Sequence, residues 1–227
     1  MRRRIARIML SLFIGVVVPV AITMFVGSPS HHNAAARVET GAVLVGIPST
    51  ESVSPTLLRL RVGVFDPLHT SLAVPQTMQR TLSDKQSGLR LLQFSDPVQD
   101  TWYAAMVEAG FEIVSYLPDY AYLVWGDYAA LSRLQTQVPL RWDGLYHPYY
   151  ALHPALSHTD MLTEEIDVVV QVYDCPETRD IVDAIVKRAS RVLRSPYTVL
   201  VYRNVGISVA VSDLTWLAGL SGVVSVE

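Results

Sequence analysis

Hydrophobic and polar positions divide the chain into an irregular lead-in and two stretches that repeat one order of periods. A basic head from Met1 to Arg7 precedes an apolar run from Ile8 to Val26. Between Val38 and Gln86 the signals are mixed. Val43-Leu44-Val45 is a short apolar run, Leu58 to Phe65 alternates with the period of a half-buried strand, and Asp66-Pro67 stops it. Pro48, Pro55, Pro67, Pro75 and the polar stretch from Gln79 to Gly88 mark loops and a linker. Residues 37–88 are therefore expected to form an irregular segment with one or two strands.

A clear order begins at Leu89. Leu89 to Phe94 has strand character, and Ser95-Asp96-Pro97 predicts a helix start with Asp96 as N-cap and Pro97 at the first helical position, where its missing N–H costs nothing. Trp102, Ala105, Met106 and Ala109 give that helix an apolar stripe, which Gly110 ends. Phe111 to Leu117 and Tyr120 to Trp125 form strands of a hairpin around Pro118-Asp119, Asp127 caps a helix through Leu131 and Leu134, and Val138 to Leu145 closes the set. The order β-α-β-β-α-β thus fills residues 89–147.

The same order returns over residues 166–227. Ile166 to Tyr173 is a strand, and Cys175-Pro176-Glu177 starts a helix with Ile181, Val182, Ile185, Val186 and Ala189 at the 3.6-residue period. Tyr197 to Tyr202 and Val205 to Val211 are strands, a short helix runs from Asp213 through Trp216, Leu217 and Leu220, and Val223 to Val226 ends the unit. Asp127, Leu131 and Leu134 match Asp213, Leu217 and Leu220 at a constant offset of 86. The expected fold class is α+β: two tandem ferredoxin-like units of split β-α-β type with antiparallel sheets, preceded by an N-terminal signal or anchor helix.

Composition sharpens this picture at the N-terminus. The four arginines of the head and the apolar run make a membrane-directed leader, with Ala34-Ala35-Ala36 as a signal-peptidase pattern. Cleavage after Ala36 is the preferred expectation, and an uncleaved anchor through residues 1–26 is the alternative. From residue 37 onward 14 basic face 21 acidic side chains, a net charge of −7, which disfavours nucleic acid as a partner. Cys175 is the single cysteine, so no internal disulfide can form and the fold rests on its core.

Candidate chemistry is sparse. Leu145 to His158 is rich in Tyr, Pro and His and is expected to be an extended connector, with residues 148–165 as linker between the units. His147, His153 and His158 lie six and five apart, which fits no common zinc spacing, so no metal is expected there. Gly219-Leu220-Ser221-Gly222 lacks the second glycine of a nucleophile elbow and is expected to be a turn. Glu164-Glu165 and Asp180 with Asp183 have the spacing of solvated carboxylates, and Trp102, Tyr122, Trp125 and Trp142 sit where core packing wants them. No catalytic, cofactor-binding or metal-binding residue is expected, and no cofactor.

Four segments carry a resemblance. Leu89 to Trp102, Ala109 to Val124, Arg141-Trp142 with Tyr146-His147-Pro148, and the ending Leu220 to Glu227 resemble the N-terminal region of large secreted bacterial subtilisin-like serine proteases, over about residues 58–227. The resemblance implies a prodomain-like module that binds a subtilisin-type catalytic domain, in cis downstream or in trans, to assist folding or to inhibit. Such a module would use an apolar sheet face and strand addition to an edge. The family's D-[ST]-G, H-G-T and G-T-S-x-A motifs do not occur here, and Glu227 stands where the catalytic domain would begin. The alternative is a cell-surface binding or scaffold module with no protease partner.

Overall fold

The alternation from Leu58 to Phe65 does not make one strand; it folds back at Arg61-Val62 into β1 (Leu58–Leu60) and β2 (Gly63–Phe65), an antiparallel pair. The computed structural model describes residues 56–70, 72–158 and 164–227, all within one unit from Thr50 to Glu227. The leader, the cleavage point after Ala36 and Val43-Leu44-Val45 lie outside the described residues. Among the described residues no helix is long and apolar enough to cross a membrane.

The first repeat comprises β3 (Gly88–Phe94), α1 (Asp100–Glu108), β4 (Glu112–Leu117), β5 (Ala121–Gly126), α2 (Tyr128–Gln135) and β6 (Leu140–Leu145). Its antiparallel sheet has the order β4-β5-β3-β6. The period of two sorts β3 and β5 by face: Leu92, Phe94 and Val124 enter a core with Met106, Leu131 and Leu134 of the helices, while Leu89, Leu91, Leu123 and Trp125 face the other way. Asp127 caps α2 as its sequence predicts, accepting the Ala130 N–H at 2.8 Å. The expected start of α1 is corrected. Ser95 to Pro97 is a bend, and Gln99 is the N-cap, without a side-chain bond. The three extra residues carry Val98 onto the core and let Trp102 stack on Phe94 at 5.7 Å, so packing overrides the local capping signal.

The connector is not extended. It coils into α3 (Pro148–Ala151), with Pro148 at the first helical position, and a 3-10 turn over Pro154–His158. Its own Tyr146 and Tyr150 are buried.

The second repeat comprises β7 (Glu165–Tyr173), α4 (Thr178–Arg188), β8 (Arg191–Val199), β9 (Tyr202–Ala210), α5 (Leu214–Gly219) and β10 (Val223–Val226), with the sheet order β10-β7-β9-β8. In both sheets the strands lie fourth, first, third, second. Leu131, Leu134 and Leu217 are buried as the offset requires, and Leu220 follows α5, half-buried. The expected strand from Tyr197 to Tyr202 is corrected: Leu200-Val201 is a hairpin turn, and the strand begins earlier at Arg191. Cys175 is buried and unpaired, and burial pushes its thiol up.

Both sheets carry their helices on the outside and meet through their inner faces. Trp125 packs on Tyr173 with ring centroids 6.0 Å apart, the Tyr173 hydroxyl donates to Glu112 at 2.6 Å, and the Tyr202 hydroxyl donates to the Val114 carbonyl at 2.8 Å. One apolar cluster therefore runs from Leu89 and Leu91 through Trp125 to Val170 and Ile185. The architecture is helix, sheet, sheet, helix.

Candidate functional site

The β1–β2 hairpin and the end of β10 frame a cavity of about 230 Å³ in the seam between the sheets. Arg59 and Arg61 reach it from the hairpin, Tyr146 from the end of β6, and Gln171, Tyr202 and Ser225 from the second sheet. Arg61 donates to Ser225 Oγ at 3.0 Å and to Glu227, and Ser225 donates to Glu227 at 2.7 Å. The Ser225 hydroxyl first, and Arg61 with it, hold the Glu227 carboxyl below its ordinary value. Arg59 pairs with Asp119 at 2.6 Å, which braces the turn where Asp119 and Tyr120 adopt left-handed backbone, φ 64° and 62°. The Tyr146 hydroxyl lies 2.9 Å from the Val224 carbonyl and 3.1 Å from that of Tyr150, and burial pushes its phenol well above the usual range. Burial and the Glu112 carboxylate do the same to Tyr173. These phenols stay protonated, and the seam's charges are already paired.

Beyond the seam the second sheet overhangs the first. Strand register places Asp167, Val169, Gln171 and Tyr173 of β7 on one face with Tyr202, Asn204, Gly206 and Ser208 of β9. Two register shifts in β8 then bring Arg191, Arg194, Tyr197 and Val199 to that same face, opposite Ser208, Gly206, Asn204 and Tyr202. Without the shifts, simple alternation would have presented Leu193 and Ser195 there. The first sheet covers the half that holds Tyr173 and Tyr202. The half that holds Val169, Arg191 and Arg194 is exposed, as is nearly all of β8. The Arg194 guanidinium lies 3.9 Å from the centroid of the Tyr197 ring.

The free edge of β8 is poorly suited to strand addition. Its two shifts and Pro196, which has no N–H, are devices that blunt a sheet edge.

Residues 59–147 match a family model described as a domain of unknown function (DUF8729). No curated protein matches the chain. The matched stretch runs from the β1–β2 hairpin through the first sheet to the residue before α3, so it includes Arg59, Arg61 and Tyr146 of the seam and none of the overhang.

The residues weighed from sequence scatter. His147 Nδ1 accepts the Arg80 backbone N–H at 2.9 Å and is held below its usual range by burial and by Arg80, and His153 Nδ1 accepts from Ala155 at 3.2 Å. Glu165 opens β7, and Asp180 and Asp183 lie along α4. Among the described residues no three His, Cys, Asp or Glu side chains gather into a metal cluster. Gly219 ends α5, and Leu220 to Gly222 makes the turn into β10, with Gly222 at φ 74°. Arg80 was hidden in the presumed linker. It is buried, and its guanidinium donates to the Tyr146 carbonyl of one unit at 3.0 Å and the Leu220 carbonyl of the other at 3.3 Å. An arginine amid polar residues gives no sign of burial. Arg194 was equally silent, because its face is set by the shifts.

Proposed function

We propose that this chain is an exported, non-catalytic protein-binding module of the prodomain-like kind found before the catalytic domain of subtilisin-like serine proteases. Its two halves are read as ferredoxin-like units. The observation that carries the reading is the repeated β-α-β-β-α-β unit with one strand order, fourth, first, third, second, in both sheets. Strand order is independent of the sequence segments that resemble the protease family, so the two supports are separate. The module acts by docking, since its seam is built of satisfied pairs and its second sheet leaves one face open. Its partner is a subtilisin-type catalytic domain, encoded downstream or supplied in trans, and the outcome is folding assistance or inhibition.

The test is capture of a purified subtilisin-type catalytic domain by the full chain, followed by titration calorimetry. The expected result is a saturable complex and slower hydrolysis of casein by the protease. Hydrolysis of casein by the chain itself, abolished by a serine-protease inhibitor, would overturn the reading. A second reading, a cell-surface binding or scaffold module, is favoured by the overhang, which suits any protein partner; absence of a complex at every salt and pH tried would select it.

A further inference from the structure

We propose that the uncovered half of the second sheet's inner face, centred on Arg194 and Tyr197, docks an acidic segment of a protein partner. This rests on the protein-binding reading above and adds the surface and the partner's charge. From Ala184 to Ser212 the sequence holds five basic residues and no Asp or Glu, within a chain that is net acidic from residue 37 onward. Arg191 and Arg194 lie on this face, while Lys187 and Arg188 are on α4 and Arg203 faces the other side of β9. Arg188 is held by Asp213 at 2.6 Å. Arg191 approaches Asp167 only to 3.7 Å, with the two side chains 67% and 60% exposed, a pair that water largely cancels. Arg194 has no carboxylate partner among the described residues. Its guanidinium is backed by the Tyr197 ring, which limits its rotamers and keeps it on this face.

Gly206 makes room for this arrangement, since a Cβ there would stand 3.2 Å from the Arg194 Cβ. The carboxylates that face the surface are Glu165 at the start of β7, Asp167, and, from the end of β10, Glu227, which Arg61 and Ser225 already occupy. Glu165 and Asp167 lie toward Arg191, and Arg194 stands beyond them. Val169, 43% exposed, lies across Gly206 from Arg194 and places apolar contact there, and Val199, 48% exposed, lies beyond Tyr197 toward the covered half. An arginine and a tyrosine amid aliphatic side chains is the composition of a binding hot spot. The arginines and valines are interspersed over one sheet face. A bilayer selects the other pattern, an apolar edge segregated from a basic rim, so the occupant is a polypeptide.

The experiment is fluorescence anisotropy of a fluorescein-labelled peptide of five Glu-Leu repeats with the full chain at low salt, and with vesicles of phosphatidylglycerol and phosphatidylcholine run in parallel. Arg194→Glu is expected to weaken peptide binding at least about tenfold, as two or three lost charge-assisted contacts would. Arg179→Glu, on the exposed face of α4, is expected to leave it unchanged, and circular dichroism checks that both variants fold. Equal binding by wild type and Arg194→Glu, no binding by wild type, or Arg194-dependent binding to vesicles alone would overturn the proposal. Capture of a subtilisin-type catalytic domain equally by wild type and Arg194→Glu would overturn the surface and leave the protease reading intact. Peptide binding lost in Arg194→Glu without any capture of the catalytic domain would keep the surface and remove that reading.

Discussion

At Asp66 the Arg141 guanidinium donates to both carboxylate oxygens, at 2.7 and 2.8 Å, while Leu68 and His69 supply further bonds. The Arg141 hydrogen bond holds this carboxyl well below the usual carboxylate range. A carboxylate depressed in the folded state stabilises it fully above the unfolded value of about 4, and that contribution drains away as pH falls below it. Melting curves from about pH 7 to pH 2 should therefore show wild type losing stability on acidification, while Asp66→Asn starts lower at neutral pH and declines less steeply. Parallel curves for the two proteins would count against Asp66 as the titrating group. Tyr146 gives a second residue-scale expectation. Removing its hydroxyl in Tyr146→Phe leaves the Val224 and Tyr150 carbonyls without that donor and should cost about 1–2 kcal/mol in urea titrations, an amount typical of a buried hydrogen bond. In sequence, Asp66-Pro67 was legible as a strand stop. Its bond to a residue 75 positions away was not.

The elements most legible in sequence were those with one buried and one exposed face. Asp127 capped α2 as expected, and Val223–Val226 became β10 unchanged, because local capping and alternation coincide there with burial. The elements misplaced were those whose limits depend on distant packing. α1 starts three residues late to serve the Phe94–Trp102 stack, and β8, exposed along almost its whole length, has no buried face to create an alternation. The hairpin that ends β8 also carries a measurable strain. Leu200 has φ 53° at 85% exposure, a left-handed backbone that a branched aliphatic side chain adopts at a cost and that Asn enters readily. Leu200→Asn forfeits almost no burial, so it should raise stability by about 0.5–1 kcal/mol. A lower melting temperature for Leu200→Asn would mean that the leucine makes a stabilising contact the turn geometry does not show.

Across the whole molecule the two repeats share the cluster between their sheets, while the first sheet keeps a second core under α1 and α2, and the shared cluster decides how the molecule should unfold. Trp125, 5% exposed, belongs to the first sheet yet packs against Tyr173 of the second. Trp125→Ala should cost about 3–5 kcal/mol, the range for removing a large buried aromatic, and should lower the protection of amides in both sheets together. Hydrogen exchange that weakens only the first sheet would show instead that the repeats fold independently. The sequence by itself determined the repeated β-α-β-β-α-β order, the cap at Asp127 and the acidic balance of the chain, because periodicity, capping and charge act within a few residues. Only the tertiary structure decided that the sheets meet face to face, that Arg80 stitches the units, and that two shifts in β8 turn Arg191, Arg194 and Tyr197 onto one open face. Those outcomes depend on which side chains meet across long sequence separations, and a one-residue change of register exchanges the faces of a strand without leaving a mark on its local pattern.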